Sequence, residues 1–266
     1  METTGETLFQ VKKERSYISC LVTGCTYGFK HLGLLLRYMW PSLLLTVVFP
    51  LPFIFLFTAQ MDALLRKWIE LGYLPQMTIK SMRHEMEQCA NRSAITVLID
   101  LAVFLFLVLG IALMVMSSFV GISYWWGIAV FLSVLILSIP ISAVEMQISL
   151  SDLSIRECFR SGYRIGFRNF GKLFAFIFLS MLLLSIIFSL ASMPFQIVMA
   201  AGMQAYNGYL MGDGLNLPVL YPVLFFAALY VLLALYLVIV VIFSFSYCLM
   251  WGSLINEVPA EAEANS

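Results

Sequence analysis

The chain has 266 residues, 62% hydrophobic and 11% charged, with a mean hydropathy of +0.95 and a formal net charge of zero. A soluble domain carries about 25% charged residues, so a water-facing globule is excluded and an all-α, polytopic membrane protein is expected. Zero net charge excludes a general attraction to nucleic acid and leaves any electrostatic binding to local clusters.

Residues 1–15, METTGETLFQVKKER, form a polar N-terminus without the apolar core of a signal peptide, so no cleavable leader of ordinary form is expected. Residues 16–37 read as a basic amphipathic helix. The first apolar run, 38–59, is punctuated by Pro41, Pro50 and Pro52, which makes it a bent span or a re-entrant segment buried in protein. A polar stretch covers 60–94. The next two runs, 95–116 and 119–142, are separated by SSFVGIS and predict a tight helical hairpin. A second basic amphipathic helix follows over 152–172. The runs 173–202 and 218–250 are longer than a bilayer requires, which licenses tilt. The tail 256–266 is acidic, small-residued and expected to be disordered.

These five runs admit five spans, four spans plus one re-entrant segment, or six spans if another precedes residue 38 and encloses Lys30 and His31.

The segment IRECFRSGYRIGFRNFGKLF, 155–174, carries Arg156, Arg160, Arg164, Arg168 and Lys172 on every fourth position. On a helical wheel Ile155, Phe159, Tyr163, Phe167, Phe170 and Phe174 share one arc, and the basic residues wind along the neighbouring one. That pattern predicts an interfacial helix with aromatic rings toward hydrocarbon and cations toward phosphates. Near an anionic surface each cation contributes on the order of 1 kcal/mol. Anionic lipid headgroups are therefore the expected partners, with a membrane protein as a second candidate. The competing reading is a topology anchor with no further role.

The pattern recurs. Cys20, Gly24, Gly28, Phe29, Lys30 and Gly33 match Cys158, Gly162, Gly166, Phe167, Arg168 and Gly171 at an offset of 138. Repeat A is thus 16–142, comprising the helix 16–37, the runs 38–59 and 95–116, and a connecting span 119–142; repeat B is 143–255, with 152–172, 173–202 and 218–250. The shared element, CxxxGxxxGF[K/R]xxG, puts bare patches on one helix face and predicts close helix packing at Gly24, Gly28, Gly33, Gly162, Gly166 and Gly171. Glycine weakens a helix by about 1 kcal/mol relative to alanine, so a packing role is needed to offset the loss.

YRIGFRNFGKLF leading into a long apolar helix resembles bacterial integral-membrane families, one of them similar to the membrane domain attached to some glycerophosphodiester phosphodiesterases. The resemblance covers the two amphipathic segments and the spans after them. The chemistry of those proteins belongs to a separate soluble barrel, so it implies no catalytic residue here.

The fifteen Lys and Arg fall in three blocks, within 12–37, 66–92 and 156–172, while 117–121 and 203–218 carry none. By the positive-inside rule, 60–94 and 143–172 are expected in the cytoplasm and 203–218 outside, in a multi-pass cell-membrane protein.

Ionisable residues inside spans are functional suspects. Asp100 lies early in the second run and Glu145 at the far end of the third. A coupling role in an ion-driven carrier is the alternative to an acid held by Ser138, Ser142 or Arg92. The stretch HEMEQC offers His84, Glu85, Glu87 and Cys89 but lacks a second nearby histidine, so no metal site is expected. The five cysteines show no CxxC spacing, and no nucleotide or hydrolase motif is present. Neither a cofactor nor catalysis is expected.

Overall fold

A computed structural model describes residues 15–75, 79–120, 124–212, 214 and 217–256. The polar N-terminus to residue 14 and the acidic tail from 257 lie outside the described residues.

Among the described residues the chain is all-helical. α1 (Tyr17–Lys30) starts where the Ser16 side chain accepts from the Ser19 amide, and α2 (Leu32–Val48) follows a break at His31. α2 contains Pro41, and Phe49 breaks the chain again before α3 (Pro50–Leu71). Proline in the first turn of α3 sits where a missing amide costs nothing. Gly72, at φ 73°, ends α3 in the left-handed conformation that glycine adopts without a Cβ penalty. The proline-rich run 38–59 is therefore divided between two helices.

α4 (Ile79–Val120) and α5 (Tyr124–Leu150) form the expected hairpin, with α4 beginning well before the apolar run at 95. α6 (Ile155–Arg168) opens with a capping box in which Ser154 and Glu157 satisfy each other's backbone amides. α7 (Phe170–Ala191) follows a break at Asn169. The run expected over 173–202 is interrupted at Ser192, and α8 (Met193–Leu210) continues into the segment expected as a loop. α9 (Tyr221–Asn256) completes the chain.

Four helical segments are long and apolar enough to cross a membrane: Ser81–Met116, Trp125–Leu150, Phe170–Ala191 and Tyr221–Ile255. α1 and α2, bent by 77°, would together make a fifth. The protein is a polytopic helical membrane protein.

Burial is concentrated at one end. There the first part of α4 (Met82 to Val97), the last turns of α5 (Ile139 to Ile148) and of α9 (Val241 to Leu254) pack with α1, α3 and the start of α7. Trp68 lies at the centre, with its ring centroid 4.9 Å from those of Tyr27 and Phe245. Beyond this end the helices separate into apolar arms. Only 6% of the most apolar stretch of α4 is buried, so its side chains face the surrounding phase rather than protein.

Candidate functional site

The two glycine helices make equivalent contacts. A β-carbon on Gly162 would stand 2.6 Å from the Cα of Val144, and one on Gly166 2.7 Å from the Cα of Pro140. Stepping forward one turn on α6 steps back one turn on α5, so the helices run antiparallel. On α1, Gly24 meets the backbone of Ser246, and a β-carbon on Gly28 would stand 3.1 Å from the Cα of Ile242 on α9. The cysteine that precedes each pair, Cys20 or Cys158, is fully buried. Gly33 and Gly171 have open space where a β-carbon would go, so four of the six repeat glycines touch a neighbouring helix and two do not.

On α6 the glycine stripe faces the protein, and of the aromatic arc that runs on into α7, Tyr163 and Phe170 are half-buried against the core. Phe159, Phe167 and Phe174 are exposed, as are all five basic residues of the rank. Among the described residues, no carboxylate lies within ion-pair distance of Arg156, Arg160 or Arg164.

The middle basic block is engaged. Arg66 donates to the carbonyl of Ser149 at 2.6 Å and of Ser151 at 3.0 Å, and pairs with Asp152 at 2.9 Å. Arg92 donates to the carbonyls of Ser151 and of Leu153, the latter at 2.9 Å. Together they satisfy the orphan carbonyls at the end of α5 and complement its negative terminus. Lys67 bridges Glu70 at 3.0 Å and Glu85 at 3.1 Å, partners that hold its ammonium pKa above the ordinary value. Arg83 pairs with Glu87 at 3.0 Å.

Asp100 and Glu145 sit on facing helices of the hairpin with their carboxyl groups within reach of one another, and Tyr247 of α9 lies within electrostatic reach of both. Ser138 and Ser142 donate to their own helix, at the carbonyls of Leu135 and Ile139. Neither they nor Arg92 provide the partner considered for Asp100 from sequence; Glu145 does.

Sequence reasoning missed Asp62. It is 6% exposed, accepts from Ser93 at 2.5 Å and lies near Arg66 and Ser149. Burial pushes its carboxyl up to about 6, against the opposing pull of Ser93, Arg66 and Ser149. Ser93 stands two turns from Asp100 on α4, and Ser149 one turn from Glu145 on α5. The one available signal for Asp62 was its position four residues before Arg66 in α3.

HEMEQC divides among separate roles: His84 meets Gln88 at 3.2 Å, Glu85 and Glu87 take the ion pairs above, and Cys89 is buried. Among the described residues no three His, Cys, Asp or Glu side chains are grouped to hold an ion.

No protein-family model, curated protein or solved structure matches this chain.

Proposed function

We propose that this is a non-catalytic integral membrane protein whose α6 holds anionic lipid headgroups at the cytoplasmic interface. The observation that carries the reading is a contrast among cations. Arg66, Lys67, Arg83 and Arg92 are committed to internal partners, whereas Arg156, Arg160 and Arg164 project outward without a carboxylate in reach among the described residues. The exposed Phe159, Phe167 and Phe174 beside them supply the apolar half of an interfacial surface. Five cations at about 1 kcal/mol each would contribute up to about 5 kcal/mol at low salt. That attraction decays over about 10 Å at 0.1 M ionic strength. The resemblance of this segment to the membrane domain attached to some glycerophosphodiester phosphodiesterases agrees with a lipid-facing role and supplies no chemistry.

The test is native mass spectrometry of the detergent-purified protein with phosphatidylglycerol, cardiolipin and phosphatidylcholine. A version with Arg156, Arg160, Arg164, Arg168 and Lys172 replaced by Gln runs alongside. Anionic lipid should stay with the wild type and leave the variant, while phosphatidylcholine distinguishes neither. Equal retention of anionic lipid by both proteins rejects the reading.

The juxtaposition of Asp100 and Glu145 across the hairpin favours a second reading, a small ion-coupled carrier in which this pair takes up and releases a proton. In proteoliposomes loaded with a pH dye, the wild type should dissipate an imposed proton gradient and Asp100→Asn should not. Identical traces from the two proteins remove this reading without touching the first.

A further inference from the structure

Arg66 is claimed from two directions. Its guanidinium donates to the carbonyls of Ser149 and Ser151 and pairs with Asp152, at the turn where α5 ends and α6 begins. Asp62 stands four residues earlier on α3, the spacing at which an acid and a base on one helix attract. Yet among the described residues no ion pair joins the two. Asp62 instead accepts from Ser93 of α4 at 2.5 Å and lies near Ser149 of α5, with 6% exposure. A carboxyl group so buried, with hydroxyls rather than a cation in contact, keeps its proton more readily than one in water. The geometry is thus that of a neutral Asp62, with Arg66 given over to α5.

We infer that Asp62 and Arg66 form a proton-operated latch on α6. Protonated Asp62 leaves Arg66 on the α5 carbonyls and holds the turn that carries the basic rank; ionised Asp62 draws Arg66 inward and loosens that turn. Screening decides which claim wins. The Asp152 side chain is 96% exposed, so water weakens its hold on Arg66. Asp62 lies inside, where attraction between charges is screened much less. The remaining partners of Arg66 are neutral carbonyls, which bind a guanidinium less strongly than a carboxylate does. The groups facing Asp62 are few. Arg66 lies on its own helix, Ser93 and the buried Cys89 on α4, and Ser149 on α5. Arg92 of α4 stands beyond Cys89 and is itself committed to the same α5 turn. Among the described residues α2 and α9, which also pack on α3, place no charge beside it. Burial pushes the Asp62 carboxyl up to about 6, so the latch works just below neutrality. The inference rests on the lipid-holding reading of α6 for its purpose, since a looser turn aims the arginines less firmly at headgroups.

The test is amide hydrogen exchange of the full chain in detergent from pH 5 to 8, corrected for the pH dependence of the intrinsic rate. In the wild type, corrected exchange over 148–158 should rise about tenfold across pH 6, the ratio that one pH unit of linkage supplies, while exchange near Trp68 stays level. Asp62→Asn cannot ionise and should stay slow throughout. Ser93→Ala removes a hydroxyl that favours the charged form, so its rise should come at higher pH. Each of these proteins keeps His31 and His84, so a histidine titration would appear in all three profiles. Four results would overturn the inference: a flat wild-type profile, the same rise in Asp62→Asn, an unmoved midpoint in Ser93→Ala, or an equal rise near Trp68. Native mass spectrometry with phosphatidylglycerol at pH 5.5 and 7.5 separates this failure from that of the lipid reading. The wild type should retain more lipid at pH 5.5, and Asp62→Asn should retain the same amount at both. A version with the five basic residues of α6 replaced by Gln that keeps its lipid rejects the lipid reading and leaves the exchange result standing.

Discussion

At Gly162 and Gly24 the space for a β-carbon is already taken by the backbone of another helix, Val144 in one case and Ser246 in the other. Backbone cannot rotate away as a side chain can, so the helices must separate. Gly162→Ala and Gly24→Ala are each expected to destabilise the protein by about 1–3 kcal/mol, the ordinary cost of overpacking. At Gly33 and Gly171 nothing stands in the way, so alanine should be neutral or stabilising by up to about 1 kcal/mol. Thermal unfolding of the four variants in one detergent separates the pairs; a loss at Gly33 or Gly171 as large as at Gly162 would contradict the packing. Asp62 makes a second residue-scale prediction. Its carboxyl is raised from 3.8 to about 6, chiefly by desolvation. The folded state holds the proton more tightly than the unfolded chain does, so this contribution is present below pH 4 and is lost as pH rises through about 6. A shift of this size corresponds to at most about 3 kcal/mol. Asn keeps an acceptor for Ser93 and cannot ionise. Asp62→Asn should therefore raise the melting temperature above pH 7, with the advantage vanishing toward pH 4. Parallel profiles for the two proteins would assign the destabilisation elsewhere.

Among the elements, α6 depends on what anchors its first turn. Arg66 from α3 and Arg92 from α4 converge on the carbonyls that α5 leaves unsatisfied, so three helices fix the turn from which α6 departs. Replacing either by Met keeps much of the aliphatic stem and removes charge-assisted hydrogen bonds worth about 1.5–3 kcal/mol each to a charged group. Amide hydrogen exchange over 148–158 should accelerate in Arg66→Met and Arg92→Met and stay unchanged near Trp68; uniform acceleration would mean a global loss instead. The sequence made the presence of α6 legible, because the four-residue spacing of arginines and glycines is a helical signal. The face that meets protein was legible too, except at Gly171, where nothing packs. The glycine stripe, expected to pack closely, does so at Gly162 and Gly166, because a bare helix face lets another backbone approach more closely than rings permit. The two glycine helices also differ outwardly. Where α6 presents Arg156, Arg160 and Arg164, α1 presents Ile18, Val22 and Thr26 at the offset of 138, with Ile18 and Val22 exposed. Asp62 was hidden within a stretch read only as polar. A carboxylate buried by a distant helix leaves no local pattern, and its partner Ser93 lies 31 residues away.

Across the whole molecule, the packed end and the apolar arms should respond differently to the loss of side-chain volume. At the packed end Trp68 and Phe245 are fully buried, touch one another and draw on α3 and α9. Truncation there leaves a cavity that close-packed neighbours fill only in part, at about 3–5 kcal/mol for an aromatic residue changed to alanine. Along the arms, Leu105 and Ile136 are 58% and 55% exposed. Lipid tails are as apolar as leucine, so no hydrophobic force holds such a side chain against its neighbours, and acyl chains or detergent occupy the space that truncation opens. Leu105→Ala and Ile136→Ala should therefore cost less than about 1 kcal/mol, although both lie in strongly hydrophobic spans. Denaturant titration of Trp68→Ala, Phe245→Ala, Leu105→Ala and Ile136→Ala, in detergent and again in nanodiscs, measures the contrast. If the arm variants lose as much as the aromatic ones in both media, the arms must be held by protein contacts, through a tighter bundle or a second copy. If only the aromatic variants lose stability, the packed end carries the fold and the arms serve as its anchorage in the bilayer.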